Sequence, residues 1–227
     1  RPDRPLPSGR ISLNHAKTAT AITMISSILS IALCYWLISG SNPVEGFEVS
    51  DWYPSLAIWI IALILLINYE FPFGLRLKDK GLPGNISISI SVGLVVVFGA
   101  SAVFEPFSEK AWSLFFVGIF YNTSREIIKD VQDMEGDKGR NTLAMRIGSE
   151  NARTVAWVMS ILALASVLLP FAIGIFPPLH VVLVIPAVMT LMMVKGRIII
   201  GEDASASSLL KKSMLLCLAA LLISSLI

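Results

Sequence analysis

The chain has 227 residues, 55% of them hydrophobic and only 15% charged, with a mean hydropathy of +0.74. A soluble domain carries about 25% charged residues, so this composition excludes one and defines a membrane protein. The formal net charge of +2 is too small to mark a nucleic-acid partner; what matters is where the charges sit.

Residues 1–12, RPDRPLPSGRIS, form a polar opening in which Pro2, Pro5 and Pro7 exclude regular helix. The chain starts at Arg1 rather than Met and shows no charged-then-apolar signal segment, so a fragment or processed form is expected. Ser12 or Asn14 can cap the helix that follows. Seven apolar stretches then read as membrane spans of an all-α bundle: 15–39, 52–68, 85–104, 111–131, 152–176, 179–195 and 208–227. Each is near the roughly 20 residues that cross a bilayer core, although the second and sixth are short. Pro177–Pro178 mark a tight turn, and Pro186 is expected to kink the sixth span. Cys34 and Cys217 both fall in apolar spans and are expected to be buried small hydrophobes, not a disulfide. With no internal repeat or linker, residues 1–227 are expected to form a single membrane-embedded domain.

Lysine and arginine supply an independent reading of topology. Seventeen of the 18 fall at 1–17, 69–84, 121–153 and 195–212, and the intervening loops hold only Lys110. That asymmetry predicts that the four basic regions face the cytoplasm. The opposite loops carry Glu45, Glu48, Asp51, Glu105 and Glu109, with Trp52, Tyr53 and Trp112 at span ends as an interfacial aromatic belt.

The stretch 121–148, YNTSREIIKDVQDMEGDKGRNTLAMRIG, breaks the apolar pattern. Wound as a helix at about 100° per residue, Glu126, Asp130, Asp133 and Asp137 share one stripe about 60° wide. Like charges at these spacings repel unless water screens them, protons neutralise them or a cation sits on them. A helix starting near Trp112 leaves a core of roughly 30 Å only near residue 131, which puts Arg125, Glu126 and Lys129 within membrane depth. Charges there mark function by default. Three readings stand: a solvated loop paired with Lys129, Lys138 and Arg140, a cation or proton pathway, and a divalent-cation site. The third suits Mg²⁺, a hard ion that binds one or two carboxylates plus substrate phosphates. Gly136 and Gly139 are expected to end or bend this helix.

Asp130, Asp133 and Asp137, followed by Lys138 and Thr142–Leu143, form a DxxDxxxD pattern that resembles the second Asp-rich motif of the UbiA superfamily of intramembrane prenyltransferases. The surrounding SREIIKDVQDMEGD is closest to the archaeal digeranylgeranylglyceryl phosphate synthases of that family. Two further segments resemble it: the opening RPDRPLPSGRIS, and LRLKDKGLPGN with its Lys78 and Gly84–Asn85. The resemblance implies nine spans around a central apolar chamber. The family's NDxxDxxxD first motif is not found in these residues, which by the resemblance are expected to begin just after it, two helices short. The family's tyrosine upstream of Lys78 is also missing, since Phe73 and Gly74 stand there and the nearest is Tyr69.

The resemblance further implies that Mg²⁺ bridges acidic residues to the diphosphate of an isoprenyl donor. Asp130, Asp133 and Asp137 are then the expected metal ligands, and Lys78, Arg125 and Lys129 the candidate phosphate contacts. Glu126 is read as an arginine partner in preference to a base, and no catalytic residue is assigned. The implied reaction moves a geranylgeranyl group from geranylgeranyl diphosphate to geranylgeranylglyceryl phosphate, forming an ether. Prenylation of an aromatic quinone precursor, a cation-coupled carrier and a truncated inactive scaffold are the competing functions. The 227 residues alone are not expected to turn over, because one Asp-rich motif supplies half of the implied metal cage. Oligomeric state is not legible.

Overall fold

The computed structural model describes residues 5–40, 48–71, 73–136 and 140–227, and every regular element among them is helical. Asp137, Lys138 and Gly139 lie outside the described residues. The chain divides into two compact units, residues 1–56 and 57–227.

In the first unit, α1 (Leu13–Ser39) starts where Ser12 Oγ accepts the His15 backbone N–H at 3.2 Å. This is the serine cap that the sequence offers, and it satisfies one of the orphan donors of the first turn. No residue of α1 is buried. Ile25, Leu29, Leu33 and Trp36 are exposed along it, the pattern of a helix whose solvent is lipid. Cys34 is exposed here too, against the expectation of burial, while Cys217 is fully buried. Tyr35 packs on Trp52, the last residue of a 3₁₀ turn (Val49–Trp52), with ring centroids 5.9 Å apart.

The second unit takes in most of α2 (Tyr53–Glu70), then α3 (Leu82–Ala102), α4 (Glu109–Asp133), a short α5 (Leu143–Ile147), α6 (Ser149–Ala172), α7 (Ile185–Ile199) and α8 (Asp203–Leu226). Seven of the eight helices are long, in the order of the seven expected spans. Six of them, with the 3₁₀ turn Pro178–Val184 added to α7, are long and apolar enough to cross a membrane. The seventh is α4, whose last two turns hold Arg125, Glu126, Lys129, Asp130 and Asp133. Pro186 lies within the span Pro178–Ile199, in the first turn of α7, just after the 3₁₀ stretch Pro178–Val184 gives way to α-helix. A proline does lie inside α6, Pro170, and its carbonyl accepts the N–H groups of Ile175 and Phe176 at 2.9 and 3.2 Å as the helix closes.

α4 is the hub, packing against α3, α6 and α8. The contacts follow membrane logic, with small and polar residues between helices and large apolar ones outside. A Cβ on Gly93 of α3 would lie 2.8 Å from the Phe115 ring of α4 and 3.1 Å from the Phe115 carbonyl oxygen, so the absence of a side chain at Gly93 lets Phe115 pack directly on the α3 backbone. Ser124 Oγ donates to the Ala156 carbonyl of α6 at 2.8 Å and lies 2.9 Å from Ser160 Oγ. Ser213 of α8 donates to the Ala187 carbonyl of α7 at 2.6 Å. Its one proton is thereby used, so the Tyr121 hydroxyl of α4 is the donor in the 2.8 Å contact with Ser213 Oγ. Around these ties Ile127, Ile128, Leu191, Leu210 and Leu221 are buried. Leu169, Met189 and Leu222 face outward, 55%, 64% and 60% exposed, which only a lipid solvent tolerates over so many positions.

Candidate functional site: the acidic end of α4

α4 ends at Asp133, and Met134 to Gly136 turn away from it. The helical stripe therefore holds Glu126, Asp130 and Asp133, and the structure describes no geometry for Asp137. The three described carboxylates are not equivalent. Glu126 is clamped: Lys129 Nζ donates to its two oxygens at 2.9 and 2.8 Å, and Arg125 Nη1 reaches Oε1 at 3.3 Å. Its side chain is only 16% exposed, so solvent screens this cluster weakly. Asp130 receives a donor from the neighbouring helix, Asn85 Nδ2 of α3, at 3.0 Å from Oδ2. Asp133 follows three residues later, half-buried, with its Oδ1 shielded from solvent.

Glycines bring the neighbouring loop against this end. Gly84 lies in the first turn of α3, where a Cβ would collide with the Leu77 carbonyl oxygen and stand 3.2 Å from Lys78 Cα. Only glycine lets the 3₁₀ turn Leu77–Asp79 rest on the α3 terminus. Gly81, at φ +68°, is in a backbone conformation that L side chains avoid, and its missing Cβ faces the Leu143 backbone at the start of α5. Thr142 caps α5 by accepting the Met145 N–H. Lys78, carried on the 3₁₀ turn, pairs with Glu70 at the end of α2. Tyr69, the preceding residue, is half-buried and near enough to Glu126, Asp130, Glu70 and Arg140 for their charges to act on its phenol.

Of the sequence-derived residues, Asp130, Asp133, Arg125 and Lys129 thus share the last turns of α4. Arg125 and Lys129 are engaged with Glu126, and Lys78 with Glu70. Arg125 Nε is buried and has no hydrogen-bond partner among the described residues. His15 and His180 serve elsewhere, at the Ser12 cap and against Ser224 Oγ at 2.9 Å. Sequence reasoning missed two members of the site. Asn85 appeared only as part of a family-like segment, although a lone amide in an apolar span is itself a signal that it bonds across helices. Tyr69 was set aside for being too far upstream of Lys78.

The described residues hold no group of three or more His, Cys, Asp or Glu side chains arranged for a metal. Asp130 and Asp133 nonetheless form a hard-oxygen pair, and Mg²⁺ commonly takes one or two carboxylates, completing its shell with water and phosphate. The donor set fits that ion and does not suit soft metals.

A polytopic helical membrane protein with an acidic site at one end of its central helix is the class this architecture defines. The chain belongs to the UbiA prenyltransferase family, whose model matches residues 1–216. It is 34% identical over 187 residues to digeranylgeranylglyceryl phosphate synthase of Methanosarcina mazei, covering 81% of this chain and 57% of that one. It is 32% identical to the synthase of the same name from Methanopyrus kandleri, over 99% of this chain and 76% of the relative. A solved structure concerned with digeranylgeranylglyceryl phosphate synthase in membranes superposes with a TM-score of 0.68 at 27% identity, covering 99% of this chain and 74% of that one.

Proposed function

We propose that the protein transfers a geranylgeranyl group from geranylgeranyl diphosphate to the hydroxyl of geranylgeranylglyceryl phosphate, the second ether of an archaeal membrane lipid. Asp130, Asp133 and Asp137 hold Mg²⁺ in this reading. The observation that carries it is the Asp130–Asp133 pair at the end of a membrane helix, in a family member whose similar relatives bear the synthase name. Bound there, Mg²⁺ neutralises charge on the diphosphate.

The chain's own residues do the rest. Lys78, Arg125 and Lys129 supply positive charge for the phosphates, and the buried Arg125 Nε is a donor that a phosphate oxygen satisfies. In the reaction the allylic C–O bond breaks and its electron pair leaves with diphosphate. The acceptor oxygen bonds to the allylic carbon and its proton is released. The helices exclude water from a reacting centre that water would otherwise quench. In this reading the acidic end faces the cytoplasm, which the lysine and arginine asymmetry supports.

Two measurements test this. The chain should retain labelled geranylgeranyl diphosphate in the presence of Mg²⁺, and lose it on adding EDTA or on Asp133→Ala. Membranes in which these residues are produced together with the family's first Asp-rich motif should transfer the label to the glycerol phosphate lipid. Transfer only to an aromatic acid, or ion-gradient-driven uptake without transfer, would overturn the proposal in favour of the alternative acceptor or a carrier.

A further inference from the structure

We propose that Glu126 is a positioning residue for phosphate: it holds Arg125 and Lys129 in place and turns one edge of the Arg125 guanidinium toward a phosphate group of the substrates. This rests on the phosphate role given above to those two cations. It goes beyond it by assigning the acid that holds them and the edge that binds.

Arg125 and Lys129 stand four residues apart on α4, the spacing at which like charges on a helix repel. Both side chains are long, and at membrane depth each alone would stretch toward water and headgroups and spread over many rotamers. Glu126 prevents that. Lys129 Nζ donates to its two oxygens at 2.9 and 2.8 Å, and Arg125 Nη1 approaches Oε1 at 3.3 Å. One carboxylate therefore fixes two cations, and both of its oxygens are in use.

A guanidinium can take an oxyanion by paired hydrogen bonds along two edges, one formed by Nη1 and Nη2, the other by Nε and Nη2. Arg125 meets Glu126 through Nη1, so the second edge is not the one Glu126 uses. On that edge Nε is buried and has no hydrogen-bond partner among the described residues. Leaving a charged group's N–H buried in that state costs more than it would for a neutral donor. The groups whose geometry matches such a planar fork are carboxylates and phosphates. Phosphate is the one that both proposed substrates carry.

The sign of a single substitution separates this from simple electrostatics. By charge alone, Glu126→Gln removes a repulsion and tightens phosphate binding. By positioning, the same change weakens it, because glutamine keeps the volume and one acceptor oxygen but cannot hold both cations.

The test is retention of labelled geranylgeranyl diphosphate, and separately of the labelled glycerol phosphate lipid, by the whole chain in detergent with Mg²⁺. Glu126→Gln should weaken at least one of them by about 10-fold, the scale of one charge-assisted hydrogen bond. Glu126→Asp keeps the charge and should recover part of that loss. Arg125→Lys keeps the cation but removes the fork, and should show a loss of the same size even if Glu126→Gln does not fold. A loss confined to the diphosphate assigns the edge to the donor, and one confined to the glycerol phosphate lipid assigns it to the acceptor; either upholds the proposal. Electron paramagnetic resonance of Mn²⁺, the probe for the Mg²⁺ site, should show an affinity within about 3-fold of wild type in both variants. Ser224→Ala, which removes the His180–Ser224 contact, should lower thermal stability and leave retention unchanged. Unchanged or tighter retention in Glu126→Gln, or a loss no larger than that of Ser224→Ala, overturns the positioning role alone. Wild-type retention in Arg125→Lys overturns the assignment of the edge. A wild-type chain that retains neither ligand overturns both together with the reading on which they rest.

Discussion

At the level of single residues, the described acids of the stripe, Glu126, Asp130 and Asp133, do not share one environment. Glu126 is matched by Lys129 and Arg125, whereas Asp130 is tied to an amide and stands one turn closer to the helix end. Substitution should separate them. Asp130→Asn should weaken Mn²⁺ binding by about 10-fold or more, and Glu126→Gln by less than about 3-fold, because Asp130 is a proposed metal ligand whereas Glu126 is held by Lys129 and Arg125. Glu126→Gln should instead lower thermal stability, since it strands two cations at membrane depth. Equal losses of Mn²⁺ affinity for the two variants would mean that both carboxylates ligate. The stripe itself was legible from spacing alone, because helical geometry fixes which side chains share a face. Its division was less so, because it depends on Asn85, a residue 45 positions away. Spacing along α4 contains no information about α3.

Among the helices, the same contrast between local and long-range information holds. The spans were readable because roughly 20 apolar residues have few alternatives in lipid. Ser12 as a cap and the turn at Pro177–Pro178 were readable because capping and turn chemistry are local. Pro186 was readable as a local break, and it falls where the 3₁₀ stretch Pro178–Val184 changes to α-helix; that the first part would be 3₁₀ was not. The exposure of Cys34 was hidden too: an apolar span can face lipid as readily as protein. The glycines carry a testable distinction of this kind. At Gly84 an added Cβ meets the Leu77 carbonyl, which is backbone and cannot swing aside, whereas at Gly93 the nearest atom belongs to the Phe115 ring. Gly84→Ala should therefore cost at least the 1–3 kcal/mol typical of overpacking, about that scale being read as a clear drop in the thermal midpoint in detergent. It should also weaken Mn²⁺ binding, because it displaces the turn on which Asn85 rests. Gly93→Ala should cost less and leave Mn²⁺ binding unchanged. The reverse order would show that the α3–α4 crossing, and not the α3 terminus, sets the geometry of the site.

For the molecule as a whole, the decisive issue is which side of the membrane the acidic end occupies. α4 runs 25 residues from Glu109 to Asp133, about 37 Å at 1.5 Å per residue, long enough to carry its two ends to opposite faces of a bilayer. The basic residues cluster at the Asp133 end and the acids Glu105 and Glu109 at the other. With Cys34 and Cys217 replaced by alanine, single cysteines at exposed Glu105 and exposed Gln132 report the two ends separately. A membrane-impermeant maleimide should label Glu105→Cys in intact cells and label Gln132→Cys only once the membrane is opened. Labelling in the opposite order would keep the crossing and invert the protein, leaving a diphosphate made in the cytoplasm on the wrong side of the proposed site. Labelling of both from one side would remove α4 as a span, and with it the physical reason that charges on its last turns mark a site. The expected pattern places Asp130 and Asp133 at the cytoplasmic edge, where a water-soluble diphosphate head and a lipid-soluble prenyl tail can be held by one protein at once.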